Sequence, residues 1–210
     1  MENKNNNAVV ITGVLKNVLK FSYEAYSEKF YKGILQIRRQ SGVYDEIKII
    51  VSERLSEMRN CKAGDTVKIE GELRSYNKKQ DDGAHLILAV FAKQISHCEP
   101  GAEHINNVAL DGFVCKEPIY RITPLGREIT DLHIAVNRGY RKSSYIPTIV
   151  WGRNAQFAKL FTMGDKVSVC GRIQSREYVK RLPDGKTVTK TAYELSVFKI
   201  ELSEEDAEDE

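Results

Sequence analysis

Hydrophobic residues along this chain recur at every second position, which is the spacing of a β-strand with one buried face. The alternation is clear over residues 67–73 and again over 132–136. Gly71 and Gly171 fall inside such segments, and a glycine at that place usually marks a bulge or a sharp barrel bend. The pattern therefore predicts a mostly β protein whose strands bend at two equivalent points.

Two short segments interrupt the period of two and predict helices. Ser52–Arg59 and Asn154–Phe161 each begin with a residue type that caps helix N-termini well, and Gly164 follows the second segment where a helix should stop. One helix in each half of the chain is the expectation.

The chain also contains one pattern twice. Ala63–Gly71 returns 100 residues later as Met163–Gly171, and the pair Asn6-Asn7 is echoed by Asn106-Asn107. This period is far longer than that of a solenoid, so it predicts two domain-sized copies. Pro-Gly at 100–101 indicates a turn or linker between them. The predicted division is a first domain over 1–98, a linker over 99–105, a second domain over 106–202 and a tail over 203–210.

Each copy has the order strand, strand, strand, helix, strand, strand, which is the order of the OB-fold, a small barrel that binds oligonucleotides on one face. The predicted fold is all-β, with two tandem five-stranded OB barrels. Each barrel has one short helix between its third and fourth strands, and a short acidic disordered tail follows the second. Asp82-Gly83 and Asp184-Gly185 are expected at the hairpin tips that join the last two strands.

Composition removes several classes of protein. Hydrophobic content of 41% and charged content of 29% are ordinary for a globular chain. No apolar run approaches the ~18 residues of a membrane span, and the polar N-terminus does not resemble a secretion signal. Four dispersed cysteines without a C-x-x-C pair indicate free thiols in a reducing cytoplasm.

Motifs for catalysis are missing. The four histidines are dispersed, and no phosphate-binding loop or nucleophile motif is present. We therefore expect no enzyme, no metal and no cofactor.

The charge is unevenly distributed. Residues 102–202 hold 16 Lys and Arg against 10 Asp and Glu, whereas residues 203–210 hold six acids and no base. A basic body favours a polyanionic partner, and an acidic terminal block is usually an interaction tail or a solubilising end.

Six motifs in the second copy carry a family resemblance. They are Asn106–Gly112, Thr123–Gly126, Leu132–Arg138, Ile149–Ala155, Met163–Val167 and Gly171–Tyr178. In this order and spacing, residues 106–202 resemble the bacterial single-stranded DNA-binding protein family. The first copy is similar only in outline, through Gly13, Gly64-Asp65 and Gly71.

The resemblance implies sequence-tolerant binding of single-stranded DNA, in replication, recombination or repair, by aromatic stacking beside a basic groove. The family's stacking positions fall on Tyr140, Tyr145, Trp151 and Tyr178. The alternative for Trp151 is a place in the core. Candidate phosphate contacts are Arg138, Arg141, Lys142, Arg153, Arg172, Arg176, Lys180 and Arg181.

The first copy departs from this pattern. Its possible contacts are Tyr44, Tyr76, Arg38, Arg39 and Arg74, and its aromatic cluster of Tyr23, Tyr26, Phe30 and Tyr31 has no family counterpart. The first copy therefore either binds DNA with a rearranged aromatic set or serves mainly for assembly.

Family members usually assemble four OB domains, so two per chain imply a homodimer. The acidic tail implies contacts with replication or repair proteins, although it lacks the usual linker and terminal aromatic residue. The alternatives are a primosomal accessory or mobile-element protein of the same lineage, an OB assembly module that binds mainly protein partners and, more remotely, a nuclease.

Overall fold

The computed structural model describes residues 6–80, 83–139, 142–181 and 185–203. Only the backbone is described at residues 79, 80, 83, 84 and 180. The predicted hairpin tips at Asp82-Gly83 and Asp184-Gly185 therefore lie partly outside the described residues, and so do residues 204–210 of the acidic tail.

The described chain folds as two similar halves, each with six strands and one short helix. The first half contains β1 (Asn7–Leu15), β2 (Lys20–Ala25), β3 (Glu28–Arg38), β4 (Tyr44–Ser52), a 3₁₀ helix (Ser56–Asn60), β5 (Thr66–Gln80) and β6 (Gly83–His97). The second half contains β7 (Asn106–Val114), β8 (Ile119–Ile122), β9 (Glu128–Arg138), β10 (Lys142–Trp151), α1 (Arg153–Ala158), β11 (Lys166–Arg181) and β12 (Thr187–Leu202).

Each half closes into a barrel with OB topology. In the first half β1 pairs with both β3 and β5, β3 pairs with β4, and β4 runs parallel to β6. In the second half β7 pairs with both β9 and β11, and β10 runs parallel to β12. Fully buried aliphatic side chains such as Ile11, Leu35 and Ile69 fill the first barrel. This architecture confirms the predicted all-β fold of two tandem OB barrels.

Each half has one strand more than the pattern predicts. The short strands β2 and β8 pair with the outer edges of β3 and β9, so the helix follows the fourth strand rather than the third. Most side chains of β2 and β8 are exposed. A strand without a buried face leaves no hydrophobic alternation, and the sequence pattern could not reveal it.

The predicted helix starts at Ser52 and Asn154 were wrong. Ser52 ends β4, and the 3₁₀ helix begins four residues later. Helix α1 begins at Arg153 after Gly152, which has a φ of 57°, and the Asn154 side chain donates to the Phe198 carbonyl at 3.0 Å instead of capping the helix. The turn at Gly152 sets the helix start because glycine adopts a positive φ at little cost.

The bulges predicted at Gly71 and Gly171 are confirmed. The register of β5 against β6 shifts between Glu70 and Gly71, and that of β11 against β12 shifts between Cys170 and Gly171. A Cβ at Gly171 would lie 2.5 Å from the Ser196 carbonyl oxygen, so these strands approach each other too closely for any other residue.

The repeated asparagines have a structural role beside these bulges. Asn7 donates from Nδ2 to the Leu73 carbonyl and accepts from the Leu73 N–H, both at 2.8 Å. Asn106 forms the same pair of bonds with Ile173, at 2.7 and 3.0 Å. Each side chain satisfies backbone groups just beyond the bulge, which would otherwise be buried without partners.

The two barrels join edge to edge through their first strands. β1 pairs antiparallel with β7, with Val9 opposite Val108 at the centre of the ladder. Two further backbone bonds extend it, from Thr12 N–H to the Ile105 carbonyl at 2.8 Å and from Asp111 N–H to the Asn6 carbonyl at 2.9 Å. The described strands thereby form one continuous twelve-stranded sheet.

A buried ion pair also links the barrels. Asp45, whose side chain is 1% exposed, accepts from Arg39 Nε at 2.7 Å and from the N–H and hydroxyl of Ser175 at 2.7 and 2.9 Å. Arg39 also donates to the Ser175 carbonyl at 2.8 Å. Arg39 is thus held inside the domain interface, and we remove it from the candidate phosphate contacts.

This ion pair makes the interface sensitive to acid. Burial raises the pKa of Asp45, but the hydrogen bonds from Arg39 and Ser175 and the charge of Arg39 outweigh burial, so its pKa lies below the usual value. A carboxyl with a lowered pKa in the folded state stabilises that state above its unfolded pKa. That stability is lost as the pH falls through the folded pKa of Asp45.

We expect Asp45→Asn to lower the free energy of unfolding by about 3–5 kcal/mol near neutral pH, because it leaves the partly buried Arg39 without a counter-charge. Denaturant unfolding measures this loss. The matched control is Asp131→Asn, which breaks a more exposed pair with Arg121 and should cost no more than about 1 kcal/mol. Two results would contradict this role for Asp45. One is an equal loss of unfolding free energy in Asp45→Asn and Asp131→Asn. The other is a difference in unfolding free energy between Asp45→Asn and the unmodified protein that does not shrink at acid pH.

Candidate nucleic-acid interface

One face of the second barrel collects most of the aromatic and cationic side chains singled out by the sequence. β10 pairs with β9 without a register shift from Lys142 to Trp151. Because side chains alternate along a strand, Tyr145 and Trp151 lie on the same side of β10. β10 then aligns Ile149 with Ser196 of β12, and β12 aligns Ser196 with Arg172 of β11. The face is therefore continuous across three neighbouring strands.

The rest of this face follows from the register of β11. Arg172, Arg176 and Tyr178 are separated by even numbers of residues beyond the bulge and lie on one side of β11. Arg176 lies over the Tyr178 ring, with its guanidinium 5.9 Å from the ring centre, and pairs with Glu194 at 3.1 Å. One ring beside two cations on β11 can hold a flat group next to negative charges.

Trp151 lies half-buried in a cleft on this face. Its indole Nε1 donates to the Ser196 hydroxyl at 3.1 Å, which fixes the orientation of the ring. The cleft has a volume of about 410 Å³ and is also lined by Arg127, Arg172 and Phe198. Two guanidinium groups thus lie at a cleft with two aromatic rings, and no carboxylate is among its lining residues.

The remaining predicted contacts of the second copy divide into two groups. Tyr145 is 53% exposed, and exposed side chains also occur at Lys142, Arg153, Arg172, Arg176, Tyr178 and Arg181. Tyr140, Arg141 and the side chain of Lys180 lie outside the described residues.

Sequence reasoning missed Phe198 and Arg127. Phe198 is 63% exposed on β12 and lines the Trp151 cleft. The only signal for Phe198 in the sequence was that an aromatic residue follows Leu195 and Val197 at a position of opposite facing, and those two residues are buried. Arg127 precedes β9 in a turn, and the barrel brings it to this cleft from a distant part of the chain.

In the first barrel, four of the five candidate contacts share the corresponding face. β3 aligns Arg38 with Tyr44 of β4, and Arg74 and Tyr76 occupy alternate positions on β5. Arg74 lies over the ring of Phe91, 4.4 Å from its centre. Arg39 is the exception, because it points into the domain interface.

Arg138 lies at the junction of the two barrels rather than on the Trp151 face. It lines a second cleft together with Arg74 and Tyr23 of the first barrel. Burial and the repulsion of Arg74 lower the pKa of Arg138, although Glu72 opposes this shift. The structure thus brings together cations that the sequence analysis assigned to separate copies.

Two features are absent from the described residues, a metal-ligand cluster and a membrane-spanning helix. Among those residues no group of three or more His, Cys, Asp or Glu side chains could hold a metal ion. None of the described helices is long and apolar enough to cross a membrane.

Comparison with known proteins finds a family that the second barrel matches. Residues 105–203 match the model of the Single-strand binding protein family. A single-stranded DNA-binding protein from Oceanobacillus iheyensis is 37% identical over 91 residues, covering 40% of this chain and 55% of the relative. One from Deinococcus radiodurans is 28% identical over 161 residues, covering 66% of this chain and 52% of the relative. The chain thus spans about half the length of the curated relatives it matches.

A solved structure matches both barrels together. The wild-type single-stranded DNA binding protein from Thermus aquaticus superposes with a TM-score of 0.75 at 21% identity, covering 97% of this chain and 96% of that one. This likeness supports the fold of two consecutive OB barrels.

Proposed function

Residues 105–203 belong to the single-strand binding protein family, and from that premise we propose that this chain binds single-stranded DNA without regard to sequence and without chemical change. It would protect exposed strands during replication, recombination or repair. Its place of action would be the cytoplasm, where bacterial DNA lies.

The observation that carries this proposal is the continuous face of the second barrel. Tyr145, Trp151 and Phe198 present partly exposed rings there, with Arg172 beside them. Unpaired bases stack on aromatic rings, and each stack is worth about 1–3 kcal/mol whatever the base. Guanidinium groups between the rings would contact the phosphates that link successive bases.

This arrangement explains why the base sequence of the DNA should have little effect on affinity. Stacking uses the faces of the bases, which every base has, and leaves their hydrogen-bonding edges unread. Contacts between cations and phosphates release counter-ions, so affinity should fall as salt rises. Duplex DNA offers no free base faces and should bind much more weakly.

We expect oligo(dT) to quench the fluorescence of Trp151, the only tryptophan of the sequence, because the indole would stack against a base. A titration at low and moderate salt measures both quenching and affinity. Tyr145→Ala should weaken binding roughly tenfold, since it removes one stack. Tyr120→Ala is the matched control, because Tyr120 lies on β8 with its hydroxyl donating to Glu128 at 2.7 Å.

Three outcomes of this titration are informative. Quenching with salt-dependent binding supports the proposed function. Absence of both quenching and binding would overturn it and would favour an OB module that binds protein partners. Binding without quenching would keep the function but assign Trp151 to the core.

We further propose that two chains assemble into a homodimer with four OB barrels, in line with the usual assembly of the family. The pairing of β1 with β7 within one chain already supplies half of such an assembly. The acidic residues 203–210 would contact basic surfaces of replication or repair proteins.

Light scattering after size exclusion should give a mass about twice the 23.9 kDa of one chain. A mass of one chain at every concentration that still binds DNA would contradict the dimer and leave the binding function intact.

A further inference from the structure

A cleft lies between the two barrels, outside the Trp151 face. Its volume is about 890 Å³. The first barrel contributes the β2–β3 hairpin and the strands β5 and β6, and the second barrel contributes the end of β9 with Gly139 and the first residue of β10. Neither barrel alone would form this cleft.

Aromatic rings form one wall of this junction cleft. Tyr23 and Phe30 stack on each other across the hairpin, with ring centres 4.9 Å apart and planes 18° apart. Tyr23 is 38% exposed and lines the cleft, so part of its side chain is accessible to a ligand there. Tyr26, at the hairpin turn with a φ of 51°, is 97% exposed at the cleft.

Cations also line the cleft. Arg74, Lys93, Arg138 and Lys142 all line the cleft, against only two acids, Glu28 and Glu72. Glu72 is shared by Arg74 at 2.8 Å and Lys93 at 2.6 Å. Glu28 contacts Arg54 at 3.3 Å. The acids are thus already paired, and the lining retains a positive excess.

Arg138 lines this cleft and has an unsatisfied donor. Its Nε is buried, and among the described side chains it is the only buried nitrogen or oxygen atom without a hydrogen-bond partner. A buried donor without a partner costs free energy, and no hydrogen bond at Nε holds the Arg138 side chain in its present position. A guanidinium group in a positively charged cleft suits a phosphate oxygen best.

We propose that the junction cleft is a second subsite for the DNA strand, in which Arg138 and Arg74 hold a phosphate and Tyr23 stacks a base. This inference rests on the proposed function. It gives the aromatic cluster of the first barrel a role in binding, and it makes the site a joint product of both barrels.

The two clefts lie at opposite ends of β10. Lys142 at the start of this strand lines the junction cleft, and Trp151 at its end lines the other cleft. Lys142 and Trp151 are the first and last of the ten residues of β10, about 30 Å apart in extended backbone, and alternation puts their side chains on opposite sides of the strand. One strand of DNA long enough to follow β10 would reach both clefts, whereas a short one would fill only one of them.

The test compares a short oligo(dT) of about 8 nucleotides with a long one of about 35, since one OB barrel covers roughly 4–16 nucleotides. Anisotropy of a labelled oligonucleotide gives affinity, and Trp151 fluorescence reports the other cleft separately. Tyr23→Ala should weaken binding of the long strand about tenfold. Arg138→Ala should weaken it similarly and should reduce the salt slope by about 0.7. Both variants should leave quenching of Trp151 by the short strand unchanged.

Matched variants exclude indirect effects. Phe21→Ala removes an exposed ring from the same hairpin outside the cleft, where Phe21 packs edge-on against Tyr31. Arg59→Ala removes an equal charge from the exposed 3₁₀ helix. Both should bind the long strand like the unmodified protein, and Tyr23→Phe should restore binding. Circular dichroism with thermal unfolding checks that each variant is folded.

The outcomes separate this inference from the proposed function. Unchanged binding of the long strand by Tyr23→Ala and Arg138→Ala, with Trp151 still quenched, would overturn the subsite and leave the function standing. If Arg138→Ala weakened binding of the long strand but Tyr23→Ala did not, the stacking role of Tyr23 would be overturned. Failure of the unmodified protein to bind either oligonucleotide would overturn the proposed function itself.

Discussion

The antiparallel pairing of β1 with β7 is the constraint on which the rest of the structure depends. An exposed strand edge carries unpaired backbone donors and acceptors, and a protein must cover it or pair it. Here each barrel covers the edge of the other, so two OB barrels become one sheet with a fixed relative orientation. The ion pair of Arg39 and Asp45, with its hydrogen bonds to Ser175, also holds the two barrels in this orientation.

In this fixed orientation the two barrels offer different surfaces to the proposed DNA ligand. The Trp151 cleft carries two guanidinium groups among its lining residues and no carboxylate. The junction cleft carries more cations but also two paired acids, and it takes its rings from a hairpin instead of the barrel face. The second barrel thus keeps a compact stacking face. In the proposed binding mode the first barrel contributes where the end of β9, with Arg138, lies beside it, so its share in binding depends on the interface.

Local features of the structure could be predicted from the sequence, and features that depend on distant neighbours could not. The bulges at Gly71 and Gly171 and the shared side of Tyr145 and Trp151 follow from alternation and glycine chemistry within one strand. The roles of Arg39 and Phe198 depend on which strands become neighbours. The alternation of hydrophobic residues shows which face of a strand is buried, but it does not show which strand will lie beside it. The junction cleft could not be predicted for the same reason, because its lining residues come from seven strands and the turns beside them.

The most direct test of this account is photo-cross-linking of a long iodouracil-substituted oligo(dT) to the intact chain, followed by peptide mapping. Bases that stack on aromatic rings cross-link to those rings. The account expects cross-links at Tyr145, Trp151 and Phe198 on the face of the second barrel and at Tyr23 in the junction cleft. Cross-links confined to Phe21, Tyr31 or Tyr120, which lie away from both clefts, would contradict it.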